Sequence, residues 1–184
     1  MKDKVINIVN KYSKIFKDED LTLLNKFLEN HNDEEIIDWN NFDGHIVASG
    51  FLYAKKEDKF LVLFHKDMNT FIYPGGHVDK GDADPLDAAK REVEEETGVC
   101  HFKVLGVMSD ELVPMDIDIH TIPYNERLDL PEHFHFDFRY LFVVDEICRV
   151  FIDSEESNDY KWVGLNELNT YVSGSMCSKI SKLS

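Results

Sequence analysis

Residues 75–98 constrain this chain more than any other stretch. A polar glycine-rich turn, Gly75-Gly76-His77-Val78-Asp79-Lys80-Gly81-Asp82, precedes Asp84-Pro85, and Arg91-Glu92-Val93-Glu94-Glu95-Glu96-Thr97-Gly98-Val99 follows. Asp84 is a good N-cap, Pro85 suits the first helical position and Gly98 supplies a stop, so the spacing predicts a helix over Pro85–Thr97. At roughly 100° per residue, Glu92, Glu95 and Glu96 share one face, Glu94 points elsewhere, and Leu86, Ala89 and Val93 form an apolar stripe beside the carboxylates. Ala88, one turn before Glu92, puts only a methyl group on the acidic face, which leaves room for an ion. Three anions on one stripe repel one another and weaken an isolated helix. A cation is the natural partner for such a face, and a fully solvated acidic surface helix is the plain alternative.

The second half of this stretch resembles the Nudix box. From Arg91 to Val99 the chain supplies Arg, Glu, an aliphatic residue, any residue, Glu, Glu, any residue, Gly and an aliphatic residue, matching all nine positions. The first half departs from the pattern. Asp82 stands where the family has Glu, and eight residues separate it from Arg91, one more than the family spacing. The part played by Asp82 is therefore open, while an insertion in an exposed connection leaves the helix unrotated. The resemblance implies a hydrolase that cleaves a phosphoanhydride bond in a small nucleoside diphosphate derivative by attack of metal-activated water. It makes Glu92, Glu95 and Glu96 divalent-metal ligands, with the carbonyl of Gly76 a further oxygen donor, and it assigns catalysis to Glu95 and Glu96 with Arg91 orienting a carboxylate. The implied ion is Mg²⁺, with Mn²⁺ a substitute, because hard cations take oxygen donors and Mg²⁺ accepts a partial protein shell. The alternative is a Nudix-like module that senses a nucleotide without hydrolysing it, and a complete set of helix carboxylates argues against that.

Composition bounds these readings. The 184 residues suffice for one domain with a sizeable core and a modest extension. A formal charge of −16 argues against general nucleic-acid binding, which needs a basic surface. A small nucleotide or other diphosphate substrate stays open through metal ions and local cations. Cys100, Cys148 and Cys177 form an odd set without metal-ligand spacing, and no apolar run reads as a signal or membrane segment, so a reducing cytoplasm is the expected setting.

Residues 1–42 read as a helical extension. Val5, Ile8, Val9, Tyr12, Ile15 and Phe16 recur at helical spacing, and Leu21, Leu24, Phe27 and Leu28 repeat the pattern, with a further turn expected over 33–39. Their apolar stripes suit packing on the main domain or homodimer formation. Strands are expected at His45–Ala54, 59–64, 71–73, 103–108, 115–122, 134–144 and 160–163, with a loop over 153–158 and a last helix over 166–172. The fold class is α/β. The resemblance implies an α/β/α sandwich with a mixed sheet over residues 43–172, leaving 173–184 as a C-terminal tail.

A second patterned region is Glu132-His133-Phe134-His135-Phe136-Asp137-Phe138-Arg139-Tyr140. In a strand His133, His135, Asp137 and Arg139 face one way and the aromatic residues the other, and Asp116, Asp118 and His120 repeat the polar half upstream. One reading makes His133, His135, Asp137 and Arg139 substrate contacts, with Arg139 bringing a cation to an acidic site. The other is a solvated strand face with local ion pairs. His135 with its neighbour two residues back also has the spacing of a zinc-ligand pair, to be completed by Asp137 or His120. His77 is placed to orient the glycine turn or touch phosphate, whereas His45, His65 and His101 are expected to be structural or exposed. Glu111, Glu126, Glu155 and Glu156 are loop candidates for a general base or extra ligand, and Phe71, Tyr73, Tyr124 and Tyr140 for stacking on a base.

Overall fold

The computed structural model describes residues 1–126 and 129–182. In chain order the elements are α1 (Lys2–Ile15), α2 (Thr22–Asn30), a 3₁₀ turn at Glu35–Ile37, β1 (His45–Ala54), β2 (Lys59–His65), β3 (Thr70–Ile72) and β4 (Gly75–His77). They continue with α3 (Pro85–Thr97), β5 (Lys103–Val104), β6 (Asp116–Ile122), β7 (His133–Val144), β8 (Ser157–Val163), α4 (Leu165–Leu168) and α5 (Met176–Ile180).

The centre of the fold is a parallel pairing of β1 with β7, in register from His45 opposite His135 to Ala54 opposite Val144. The outer edge of β1 is shared: its first half pairs antiparallel with β4 and its last residues with β2. The outer edge of β7 is shared in the same way by β6 and β5. The strands therefore form one mixed sheet, eight-stranded among the described residues, with β3 and β8 flanking β2. Period-two alternation then sorts side chains between two layers. Ile46, Ala48 and Leu52 of β1 and Phe136, Phe138 and Phe142 of β7 enter one apolar cluster, which α1, α2 and α3 cover. Phe51 and Leu141 point the other way, into a smaller cluster closed by Leu168 of α4 and by Met176, Cys177 and Ile180 of α5. The result is a helix–sheet–helix sandwich.

Helix α3 has both predicted ends. Asp84 accepts the Asp87 N–H at 3.1 Å, and Gly98 adopts the left-handed conformation at φ 68° while its N–H bonds to Glu94. Gly50 lets the helix approach: a Cβ there would lie 2.4 Å from Val93 Cγ2. This close seating buries Ala88 completely, so its methyl group packs in the core and leaves no room for an ion there.

Other boundaries moved for local reasons. Strand β5 stops at Val104, short of the expected 108, because Gly106 closes on the Asp110 backbone and Met108 and Ser109 take positive φ in a turn. Strand β8 starts at Ser157, inside the expected loop, since its pairing with β2 extends to Ser157 opposite His65. The last expected helix shrinks to α4, begun by Gly164. Residues 173–182 hold α5, whose buried Lys179 bonds to Asp116 Oδ1 at 2.7 Å and pairs with Glu19 at 2.5 Å.

The N-terminal stripes are used within the chain. Val5, Ile8, Val9, Tyr12 and Leu24 are all at most 2% exposed, and the Tyr12 hydroxyl, in contact with Glu19 and Lys179, accepts the Ile117 N–H at 3.0 Å. Leu24→Ala should therefore lower stability by about 2–5 kcal/mol in urea titration, with helix and sheet signals falling in one transition. An early, separate loss of helix would mean that α1 and α2 fold apart from the sheet.

Candidate active site

The glycine pair and the acidic helix meet through backbone chemistry. Strand β4 is held to β1 by Ser49, Ala48 and Val47 opposite Gly75, Gly76 and His77. A Cβ on Gly75 would fall 2.5 Å from Ser49 Oγ, and one on Gly76 would fall 2.5 Å from Glu92 Oε1. Only glycine lets the Glu92 carboxylate lie against this strand. Glu96, 5% exposed, accepts the Gly75 N–H at 2.7 Å and so ties α3 to β4. Burial raises its pKa to about 8, and Glu92, Glu156 and Asp153 push in the same direction against the Gly75 hydrogen bond. Burial also raises Glu92, with Arg91 opposing. Glu95 stands at the outer rim, largely solvated, with Arg91 at 3.0 Å.

Arg91 explains the irregular first half of the motif. Its guanidinium forks onto Asp82 at 3.1 and 2.9 Å, donates to Glu92 at 2.9 Å and caps the His77 carbonyl at 2.9 Å. Asp82 is thus the anchor that fixes Arg91, and the extra loop residue is absorbed before α3 begins. Hydrogen bonding to Asp82 is the main reason the guanidinium holds its proton more tightly than usual.

A cleft of about 800 Å³ opens beside this cluster, with Gly75, Gly76, His77 and Glu92 on one wall and His120, His135 and Asp137 on another. Glu155 and Glu156 face in from the segment before β8. That segment is fastened to the end of α3, because Phe151 N–H bonds to the Thr97 carbonyl and Asp153 N–H to the Glu96 carbonyl. Of the loop carboxylates, Glu155 and Glu156 line the cleft and Glu111 lines a separate depression near Asp84 and Lys90. Tyr73, stacked on Phe51 with centroids 4.2 Å apart, and Tyr171 supply aromatic wall. Tyr140 is core, and Tyr124, exposed, bonds to Asp129.

The polar face of β7 is enclosed, and that changes the part of Arg139. Expected to reach phosphate, it is fully buried: register sets Asp116 opposite it and Asp118 opposite Asp137. Its five N–H groups go to Asp137 (2.7 Å), Asp116 (3.4 Å), Asp118 (2.7 Å), the Tyr73 hydroxyl (2.6 Å) and the Ser173 carbonyl (2.7 Å). No donor is left for a substrate. Burial opposes its charge, but Asp137, Tyr73 and Asp118 more than offset this. Asp137 likewise is spent, accepting from Ser49 (2.8 Å), Tyr73 (3.3 Å) and Arg139. Both residues brace the cleft wall. The lysine or arginine lining the cleft among the described residues is Lys66, on the turn after β2, which sequence patterning did not single out.

The histidines come together at the other end of the same face. His45 of β1 sits opposite His135, and His120 of β6 opposite His135 from the other side. His45 is 1% exposed, with ring centroids 4.6 Å from His135 and 5.0 Å from His133. Burial pulls His45 down to about 4 and His135 to about 2, with the neighbouring imidazoles adding to both shifts, so both rings are neutral near pH 7. His77 and His135 line the cleft; His133 lies behind them, 7% exposed. His45 carried no local signal, because its neighbours are set by a pairing ninety residues away.

A model of the NUDIX domain matches residues 44–176. The chain is similar to the probable DHNTP pyrophosphohydrolase of Lactococcus lactis subsp. cremoris, 36% identical over 106 residues, which cover 58% of each protein. It is 28% identical over 109 residues to the RNA pyrophosphohydrolase of Bartonella bacilliformis, covering 54% of this chain and 61% of that protein. These alignments thus span about three fifths of the relatives' lengths. The structure of the E. coli dihydroneopterin triphosphate pyrophosphohydrolase superposes with a TM-score of 0.56 at 16% identity, over 74% of this chain and 92% of that one.

Glu96 gives the site a pH signature. A carboxyl whose folded pKa is near 8 favours the folded state in its neutral form, so metal-free protein should lose stability as pH rises from about 4.5 through about 8. In EDTA, the stability of wild type relative to Glu96→Gln should fall by roughly 2–3 kcal/mol between about pH 6 and pH 8.5 in urea titrations. Parallel pH profiles for the two proteins would show that Glu96 titrates as an ordinary carboxyl.

Proposed function

The chain belongs to the Nudix family, and we propose that it is a divalent-metal-dependent hydrolase that cleaves a phosphoanhydride bond in a small nucleoside diphosphate derivative or a similar diphosphate ester. The observation that carries this reading is the carboxylate cluster in which Glu92 lies against Gly76 while Glu96 is bonded to Gly75, with Glu156 close enough to act on both. Burial, with repulsion from neighbouring carboxylates, holds Glu92 and Glu96 above the ordinary carboxyl range, the condition a dication relieves. The donor set suits Mg²⁺, with Mn²⁺ as substitute, since both prefer oxygen.

Glu92, Glu96 and the Gly76 carbonyl would hold the ion, with Glu95 the outermost ligand and Glu156 an added oxygen from the segment before β8. The ion they would hold would supply charge neutralisation at the diphosphate and a water of lowered pKa. The chain's own groups do the rest. Arg91, locked by Asp82, fixes the Glu92 carboxylate and the β4 backbone. Glu96 joins α3 to β4 through the Gly75 N–H, and we assign it, with Glu95, to catalysis. His77, His135 and Lys66 line the cleft and would meet phosphate oxygens, and Tyr73, backed by the buried Phe51, would offer aromatic wall to a base or pteridine ring. Dihydroneopterin triphosphate, named in two of the similar proteins, is a substrate to try. A net charge of −16 favours small anions delivered with metal over long nucleic acids. The cytoplasm suits three unpaired cysteines.

The test is product release from nucleoside triphosphates, nucleoside diphosphate derivatives and dihydroneopterin triphosphate, with Mg²⁺ and with EDTA. Release should require the metal, return with Mg²⁺ or Mn²⁺, and fall about a hundredfold or more in Glu96→Gln. Full turnover in that variant would remove Glu96 from the mechanism. Tight nucleotide binding with no release from any compound would favour the sensing module.

A further inference from the structure

Of the histidine cluster the hydrolase reading uses only His135, as cleft wall, and leaves His45 and His133 without a part. Imidazole nitrogens of His45, His133 and His135 all lie within 4.8 Å of one another. Neither ring nitrogen of His45 has a hydrogen-bond partner, although the residue is 1% exposed; the Asn41 backbone raises its basicity slightly without completing a bond. An orphaned imidazole in such a position is costly, since a buried polar group without a partner forfeits its hydration. Something must offset that cost.

We propose that His45, His133 and His135 form a tri-histidine site for a transition-metal dication of the zinc class, with its remaining coordination position open to the cleft. Three observations support it. The chemistry is right, because neutral imidazoles suit zinc and its neighbours, while Mg²⁺ takes oxygen. The tautomer is set: His133 Nδ1 lies 2.8 Å from the Pro131 carbonyl, which can only accept, so Nε2 carries the lone pair and is the nitrogen free to ligate. The spacing is near what is needed, as ligand nitrogens about 3.3 Å apart follow from Zn–N bonds of ~2.0–2.1 Å, and small side-chain rotations close the gap. His120 stands ready at the margin, its ring 5.6 Å from His135 and its Nδ1 2.8 Å from Asp118 Oδ2.

The position gives the ion a role. His135 lines the cleft, so the open coordination site faces the space in which an anionic ligand would lie. Arg139 sits on the same strand face with every donor committed to protein groups. A dication on the histidines supplies the positive pole that Arg139 withholds. It also ties β1 to β7 at the open end of the sheet.

The site can be tested without any substrate, so its outcome is independent of turnover. Untagged full-length protein, stripped with chelator, is titrated with Co²⁺ and Zn²⁺ in excess Mg²⁺. One equivalent of Co²⁺ should give visible ligand-field bands that Zn²⁺ abolishes, and long-range ¹H–¹⁵N spectra with Zn²⁺ should shift ring nitrogens of His45, His133 and His135 together. His45→Ala should weaken binding at least about tenfold, while the double variant Glu92→Gln, Glu96→Gln should keep the bands. Absence of stoichiometric binding, unshifted histidine rings in the wild type, or bands lost in the glutamine variant but kept in His45→Ala would overturn the proposal. The ring-nitrogen spectra decide the matter even if His45→Ala folds poorly.

Discussion

The parallel pairing of β1 with β7 is the constraint on which the rest of this molecule depends. Its register, His45 to His135 through Ala54 to Val144, sets both layers of the sandwich at once. On one face it aligns Ile46, Ala48 and Leu52 with Phe136, Phe138 and Phe142 for α1, α2 and α3 to cover. On the other it aligns His45, Val47 and Ser49 with His135, Asp137 and Arg139, and β6 adds Asp116, Asp118 and His120 in the same rows. A slip of one residue would exchange the faces and bring buried charge into the apolar core. The shared outer edge of β1 has an equal consequence, since β4 can reach it only because Gly75 and Gly76 have no side chains to collide with Ser49 and Glu92.

Charge is handled in two different ways around the cleft. Between β6 and β7 the carboxylates of Asp116, Asp118 and Asp137 are satisfied by Arg139 and, at the margin, by Lys179. This network joins α5 and the turn before α2 to the sheet, because Lys179 also pairs with Glu19. Breaking such a buried set leaves uncompensated charge, so its members are structural. At the glycine strand, by contrast, Arg91 reaches only the outer side of the acidic cluster. Glu96 is left with a single backbone donor and three acidic neighbours. That imbalance separates the group of carboxylates suited to an ion from the group that braces the wall.

What could be read from sequence follows the range of the interaction responsible. Helix α3 was legible to its ends because caps, proline and glycine act within a few residues, and β1 and the alternation of β7 were legible for the same reason. The enclosure of Arg139 was not, since it needs two aspartates from β6 in register and a loop carbonyl from Ser173. His45 offered no pattern of its own and acquires its surroundings through a distant strand. Ala88 shows the opposite failure: a helical wheel puts it near Glu92, but the close approach of α3 at Gly50 turns it into the core. Asp82 was hidden by the inserted loop residue, and its meaning came only from the fork it makes with Arg91.

The proposed hydrolase function rests on Glu92 and Glu96, seated on the glycine strand, holding a hard dication beside the cleft. Paramagnetic broadening of amide signals on titrating ¹⁵N-labelled protein with trace Mn²⁺ addresses it most directly. Signals of Gly75, Gly76, His77, Glu92 and Glu96 should vanish first and recover on adding excess Mg²⁺. Broadening spread over the acidic surface, or centred on carboxylates remote from the glycine strand, would mean that Glu92 and Glu96 do not form the ion site.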